Sequence, residues 1–291
     1  MTVSEEQALE QWKTALDSRA SLQSLTRLAL LDQGERVRFL SETVGEQAGS
    51  SWWLHGSRSA FSSGLQTLAQ DRLWPENQWW VRWLMGRWPR GHAVVGHPTD
   101  GDASLQLGLI APLVPTRMAL SEGPLPLSIE AVSHFKSVHA ATDAPGLVGC
   151  RLEIEEQSLK TLAARWEVEL PALLRVADVW GLAAEGLNMA APLIEGLSEG
   201  LKRSPTLVVE APYCPDPSSS LVLEIGPVAA RSTIGLANAL FGAEAAGVLT
   251  QLARDLSAGR FFRVRVTLGP TGAQSMTALA APSSQTTRLG W

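Results

Sequence analysis

Five short stretches of this chain alternate in polarity with period two, and all five have the same pair of faces. In 104–110, Leu105, Leu107 and Leu109 oppose Ser104, Gln106 and Gly108. In 150–155, Leu152 and Ile154 oppose Arg151, Glu153 and Glu155. In 206–210, Leu207 and Val209 oppose Thr206, Val208 and Glu210, and in 221–225, Leu221, Leu223 and Ile225 oppose Val222 and Glu224. In 261–268, Phe262, Val264, Val266 and Leu268 oppose Phe261, Arg263, Arg265 and Thr267. Such alternation marks strands that bury one face. Clusters rich in Pro, Gly and Asp at 98–102, 212–217 and 269–272 supply the turns of hairpins. The strands therefore pair antiparallel, and helices that follow hairpins cover only the aliphatic face. The fold class is α+β, an antiparallel sheet with helices on one side.

The mixed face has two explanations. In an open sheet it meets water; in a closed barrel it lines a lumen wide enough for a ligand. The whole chain has four lysines, Lys13, Lys136, Lys160 and Lys202, and none lies on these five strands. Wet sheet faces are usually rich in Lys and Glu, so the pattern favours a barrel-like sheet with a lined interior. Closure would also remove exposed strand edges.

Helical spacing of apolar residues covers the first 45 residues, about 60–88, about 157–203 and about 232–257. A short strand is expected at 127–132. The expected division is an N-terminal helical region, 1–88, running into a hairpin-and-helix domain, 89–282, with a polar tail at 283–291. Seven of the 11 tryptophans fall within 52–88. Trp79, Trp80 and Trp83 share one side of a helix starting at Glu76, as a core stripe, a docking surface for a protein partner, or an aromatic pocket wall.

A net charge of −5 argues against nucleic-acid binding, which needs a basic surface. No apolar run reaches the ~18–20 residues of a membrane helix. The acidic start resembles no signal or transit peptide, so a cytoplasmic location is expected. Cys150 and Cys214 are too few and too far apart for a disulfide framework or a zinc site. The common nucleotide-binding, zinc-protease and serine-hydrolase motifs are absent. His92 and His97 fall on opposite faces of one strand and cannot share an ion, which leaves His97 as a candidate general base. Glu210 and Glu224 face each other across a hairpin when its turn is centred near Pro215. Two carboxylates close together in a cavity raise one pKa or chelate a cation.

The order of elements resembles that of the ABBA prenyltransferases, barrels of antiparallel strands ringed by helices and built from ααββ-type repeats. Four stretches carry the resemblance: the hairpin 91–110, the strand Arg151-Leu-Glu-Ile-Glu155, the hairpin 205–227 running into a helix at 232, and the closing hairpin 261–282 with its Met276-Thr-Ala-Leu-Ala-Ala-Pro282 end. The resemblance implies transfer of an isoprenyl group from an allylic diphosphate to an aromatic or peptide acceptor. It places Arg151, Arg263 and Arg265 on the diphosphate, and makes Glu210 and Glu224 bases or ligands of Mg²⁺, which assists the leaving group in the cyanobactin branch. The chain departs from the pattern where the indole branch has an acid and this sequence reads His92-Ala-Val-Val-Gly, and at Gln106, where a basic residue is expected. The family's shielding tyrosines are also missing, since Tyr213 is the only tyrosine. The rival reading is a non-catalytic assembly protein docking through its Trp-rich segment.

Overall fold

The computed structural model describes residues 5–32, 36–57, 61, 63–64, 67, 92–100, 105–114, 129–155, 158–180, 206–212, 220–269 and 271–282. Helices α1 (Glu5–Asp17) and α2 (Leu22–Leu31) lead into β1 (Val37–Gly45) and β2 (Gly49–Ser57). Then follow β3 (His92–Pro98), β4 (Leu105–Val114), α3 (Ile129–Thr142), β5 (Leu147–Glu155), β6 (Ser158–Glu167) and α4 (Leu170–Trp180). The last third holds β7 (Thr206–Pro212), β8 (Leu221–Gly226), a short β9 (Val228–Ala229), α5 (Ala230–Phe241), α6 (Ala243–Asp255), a short β10 (Arg260–Phe261), β11 (Arg263–Gly269) and β12 (Gly272–Ala280).

Every long strand pairs antiparallel with both neighbours, in the order β1-β12-β11-β8-β7-β6-β5-β4-β3-β2, and β2 returns to β1. The sheet is a closed barrel, so its mixed face is an interior. The aliphatic face points outward and is covered by helices. Leu40, Leu54, Val95, Val209, Leu223, Ile225, Val264, Val266, Met276 and Ala278 are buried there in one core with Trp12, Leu16, Leu28 and Leu31 of α1 and α2. Phe135 and Val138 of α3, Leu173 and Val176 of α4, and Leu249 and Leu252 of α6 complete that layer. A barrel this wide leaves interior space that small side chains cannot fill. Arginine, tryptophan and phenylalanine side chains occupy it here.

The structure corrects several expectations. Residues 37–57, read as part of the N-terminal helical region, form the hairpin β1–β2 and sit in the barrel between β12 and β3. Each face of β1 mixes apolar and polar residues, Leu40 and Val44 with Arg38 and Glu42 outside and Val37 and Phe39 with Ser41 and Thr43 inside, so no alternation shows. Residues 158–167, read as the start of a helix, are β6, where the adjacent Ala163 and Ala164 hide the period. Of the strand expected at 127–132, the described residues 129–132 instead begin α3 at Ile129. Phe261 and Phe262 exchange their expected faces, because the strand breaks between β10 and β11. Phe261 joins the outer core and Phe262 the interior cluster, with its backbone N–H donating to the Leu279 carbonyl at 2.8 Å. Trp79, Trp80, Trp83, Tyr213 and the tail from 283 lie outside the described residues.

Candidate active site: an arginine-rich barrel lumen

Five successive neighbours in the barrel, β5, β6, β7, β8 and β11, each send ionised side chains into the lumen: Arg151, Arg165, Glu210, Glu224, and both Arg263 and Arg265. Register brings them together. Arg165 is directly opposite Glu210 and Arg265 directly opposite Glu224. Glu210 pairs with Val222 and Glu224 with Val208, so the two carboxylates are diagonal neighbours on one face rather than face to face.

Arg151 Nε donates to Glu210 Oε1 at 2.6 Å, and Arg265 Nη2 donates to the same oxygen at 2.9 Å. Arg165 Nη2 donates to Glu224 Oε1 at 2.6 Å, while its Nε lies 3.6 Å from Glu210 Oε2. Arg263 Nε is 3.4 Å from Glu224 Oε1 and Arg265 Nε is 3.8 Å from Glu224 Oε2. Among the described residues, four guanidinium groups face two carboxylates, a net charge of +2. Nε–H of Arg165 and of Arg265 are buried without a hydrogen-bond acceptor. Among the described residues these two donors lack an acceptor, the condition an anion with several oxygens relieves.

Burial alone would raise the Glu210 carboxyl, but Arg151, Arg265 and Arg165 together outweigh it and hold it at about 2. Burial likewise opposes ionisation of Glu224, and Arg165, Arg263 and Arg265 override it, so its pKa also falls below the ordinary value. Burial lowers both Arg263 and Arg265. Both carboxylates stay ionised and tied to arginines, which makes them weak proton acceptors.

Beside the charges stands an aromatic wall. Phe39 stacks on Phe262 with centroids 4.7 Å apart, and the Arg263 guanidinium lies 5.0 Å from the Phe262 centroid. Trp53 projects inward while its neighbour Trp52 projects outward. Trp53 Nε1–H donates to Ser41 Oγ at 2.8 Å, and its ring lies against Gly96, where a Cβ would come within 2.3 Å of it. Trp53, Phe39, Phe262, Val94, Leu279 and His55 share one small cavity of about 60 Å³ with the six ionised side chains. His55 stacks on His92 with centroids 4.9 Å apart.

His97 is on the opposite side of the barrel wall, fully buried under α2. Its ring stacks on Trp52 at 5.5 Å. Its Nε2 meets Arg27 Nη1, and its Nδ1 lies 2.5 Å from the Pro98 carbonyl oxygen. With both ring nitrogens occupied outside the lumen, the expectation of His97 as a base there is corrected. Arg151, Arg263, Arg265, Glu210 and Glu224 do converge. Sequence reasoning missed Arg165, although it alternates with Ala163 and Glu167, and missed Phe39, Trp53 and His55 on the unrecognised hairpin. Mg²⁺ does not fit the described residues. A dication at either carboxylate would meet the surrounding guanidinium groups. Among the described residues no group of three or more His, Cys, Asp and Glu side chains converges.

No family model matches the chain, and no curated protein matches it significantly in sequence. Solved structures do. A 6-dimethylallyltryptophan synthase from Micromonospora olivasterospora, in complex with DMASPP and Trp, superposes with a TM-score of 0.64 over 97% of this chain and 98% of its own, at 12% identity. The chain has the aromatic prenyltransferase fold. A 5-dimethylallyltryptophan synthase from Streptomyces coelicolor, also with DMASPP and Trp, gives 0.59 over 98% and 97% at 10% identity. The prenyltransferase NotF gives 0.62 over 96% and 93% at 12% identity. The ABBA barrel expected from element order is therefore present, ten strands closed on themselves with helices outside. Among the described residues no helix is long and apolar enough to cross a membrane.

Proposed function

We propose that this protein is a prenyltransferase-like enzyme that moves an isoprenyl group from an allylic diphosphate to an aromatic or peptide acceptor within the barrel. The observation that carries the reading is the net +2 cluster of Arg151, Arg165, Arg263 and Arg265 with Glu210 and Glu224, enclosed beside Phe39, Trp53 and Phe262. Two of the fold's relatives are complexes with DMASPP and Trp, which agrees with a diphosphate donor and an aromatic acceptor.

Each part has a task in that chemistry. The guanidinium groups receive the diphosphate and stabilise the charge that grows on it as the allylic C–O bond breaks. The rings shield the allylic cation from water and stabilise it through their faces. The cavity of about 60 Å³ is far below the ~300 Å³ of a typical ligand pocket, so substrate entry displaces side chains that now fill the lumen. The diphosphate competes with Glu210 and Glu224 for the arginines, and the isoprenyl chain moves the rings.

Calorimetry with dimethylallyl thiodiphosphate, which is slow to ionise, tests the binding half. Transfer from dimethylallyl diphosphate to tryptophan or to Trp- and Tyr-containing peptides, read by mass spectrometry, tests the chemistry. Saturable binding that weakens in Arg165→Gln is expected. Absence of heat at millimolar ligand overturns the proposal.

A further inference from the structure

An aromatic acceptor that gains a carbon substituent must lose a proton, and the lumen carboxylates are poorly suited to take it. Glu210 and Glu224 are each engaged by three arginines within 4 Å. Among the described residues one imidazole lines the same cavity, that of His55, which lies across the strand pair from Val37 and Val94. We propose that His55 is the proton acceptor of this lumen and therefore a catalytic residue; the inference rests on the transferase reading above.

The groups around His55 decide its charge. From β3, His92 stacks on it; from β11, Arg263 approaches, itself paired to Glu224. The lumen side of β1 brings Val37, Phe39, Ser41 and Thr43, none of which titrates near neutral pH. The other ionised side chains lining the cavity are Arg151, Arg165, Arg265 and Glu210. Burial, then His92, then Arg263 lower the His55 imidazolium to about 4, so the ring is neutral at pH 7 and has a nitrogen lone pair to offer. A diphosphate on the arginines reverses part of this. Its negative charge offsets Arg263 and favours the imidazolium, which makes His55 a stronger base once donor is bound.

The step balances. The allylic C–O bond breaks and its electron pair leaves with the diphosphate oxygen. A π pair of the acceptor ring forms the new C–C bond. The ring C–H pair then restores aromaticity, and its proton passes to the free imidazole nitrogen of His55. His92, exposed next to it, marks the end of the lumen from which the proton reaches water.

Imidazole NMR of the full chain, with His55→Gln to identify the resonance, tests this against inorganic pyrophosphate whose binding is followed by calorimetry. Saturating pyrophosphate should raise the His55 pKa by at least one unit, leaving His97 outside the barrel unmoved. In the transfer assay, His55→Gln should lower kcat about 100-fold at pH 7 while pyrophosphate affinity stays within twofold. Pyrophosphate binding without a His55 shift, or full turnover in His55→Gln, overturns the inference and leaves the transferase reading standing. No pyrophosphate binding at all overturns both.

Discussion

Replacing Glu210 by Gln would show whether the lumen is an anion site held in check by its own carboxylates. The substitution keeps the shape of the side chain but deletes the charge that Arg151 meets at 2.6 Å, Arg265 at 2.9 Å and Arg165 at 3.6 Å. Depression of the carboxyl from 4.5 to about 2, at about 1.4 kcal/mol per pH unit, corresponds to about 3 kcal/mol of favourable interaction. Breaking a buried ion pair from one side costs about 3–5 kcal/mol in general, which agrees. For a chain of this size the melting temperature should fall by roughly 6–10 °C. The cluster charge meanwhile rises by one, so pyrophosphate should bind the variant more tightly. At 100 times its Kd a ligand contributes about 2.7 kcal/mol of stability. Pyrophosphate should therefore raise the melting temperature of Glu210→Gln more than that of the unaltered protein. Glu42→Gln is the control. It breaks the 2.7 Å pair with Arg19 on the outer face and should destabilise without changing the response to pyrophosphate. An unchanged melting temperature in Glu210→Gln, or an equal pyrophosphate response in both proteins, would refute the reasoning.

Acid should unfold the protein through the same groups. Both lumen carboxylates have lowered pKa values when folded, so their stabilisation is complete above the unfolded value and is lost as the pH falls toward about 2. Urea unfolding at a series of pH values from 6 to 2 should show that loss, and a flat profile would count against it. Gly96→Val places a side chain where even a Cβ lies 2.3 Å from the Trp53 ring, and should destabilise by about 1–3 kcal/mol with a change in tryptophan fluorescence. Trp53→Ala empties that site and should cost about 3–5 kcal/mol in denaturant titration, while enlarging the lumen for apolar ligands. Ser21→Ala removes the side-chain acceptor 3.2 Å from Ser24 N–H at the start of α2, for a loss of about 1 kcal/mol.

Reading the chain from residues alone worked best where one strand face is strictly aliphatic. Those strands, around Arg151, Glu210, Glu224, Arg263 and Arg265, are the ones whose other face makes the cluster. It worked worst where both faces mix apolar and polar residues. In β1, Phe39 points inward and Leu40 outward, so period two disappears although the strand is intact. The adjacent Trp52 and Trp53 look alike in sequence. One is core against α2 and stacks on His97; the other is a wall of the cavity.

Alternation, four lysines in 291 residues and short turns determined that the chain makes an antiparallel sheet with helices on one side and a sparsely charged second face. Local periodicity is a property of each strand and survives in the sequence. Whether β12 meets β1 is not local. It depends on shear, twist and register summed around ten strands, and it decided that the mixed face is a lumen rather than a wet surface. Pairing of β6 with β7 and of β7 with β8 brought Arg165 and Glu224, 59 residues apart, to 2.6 Å, and closure made the face of His55 an interior and that of His97 an exterior. The charges were legible one strand at a time. Their burial together, which gives them their chemistry, belongs to the barrel.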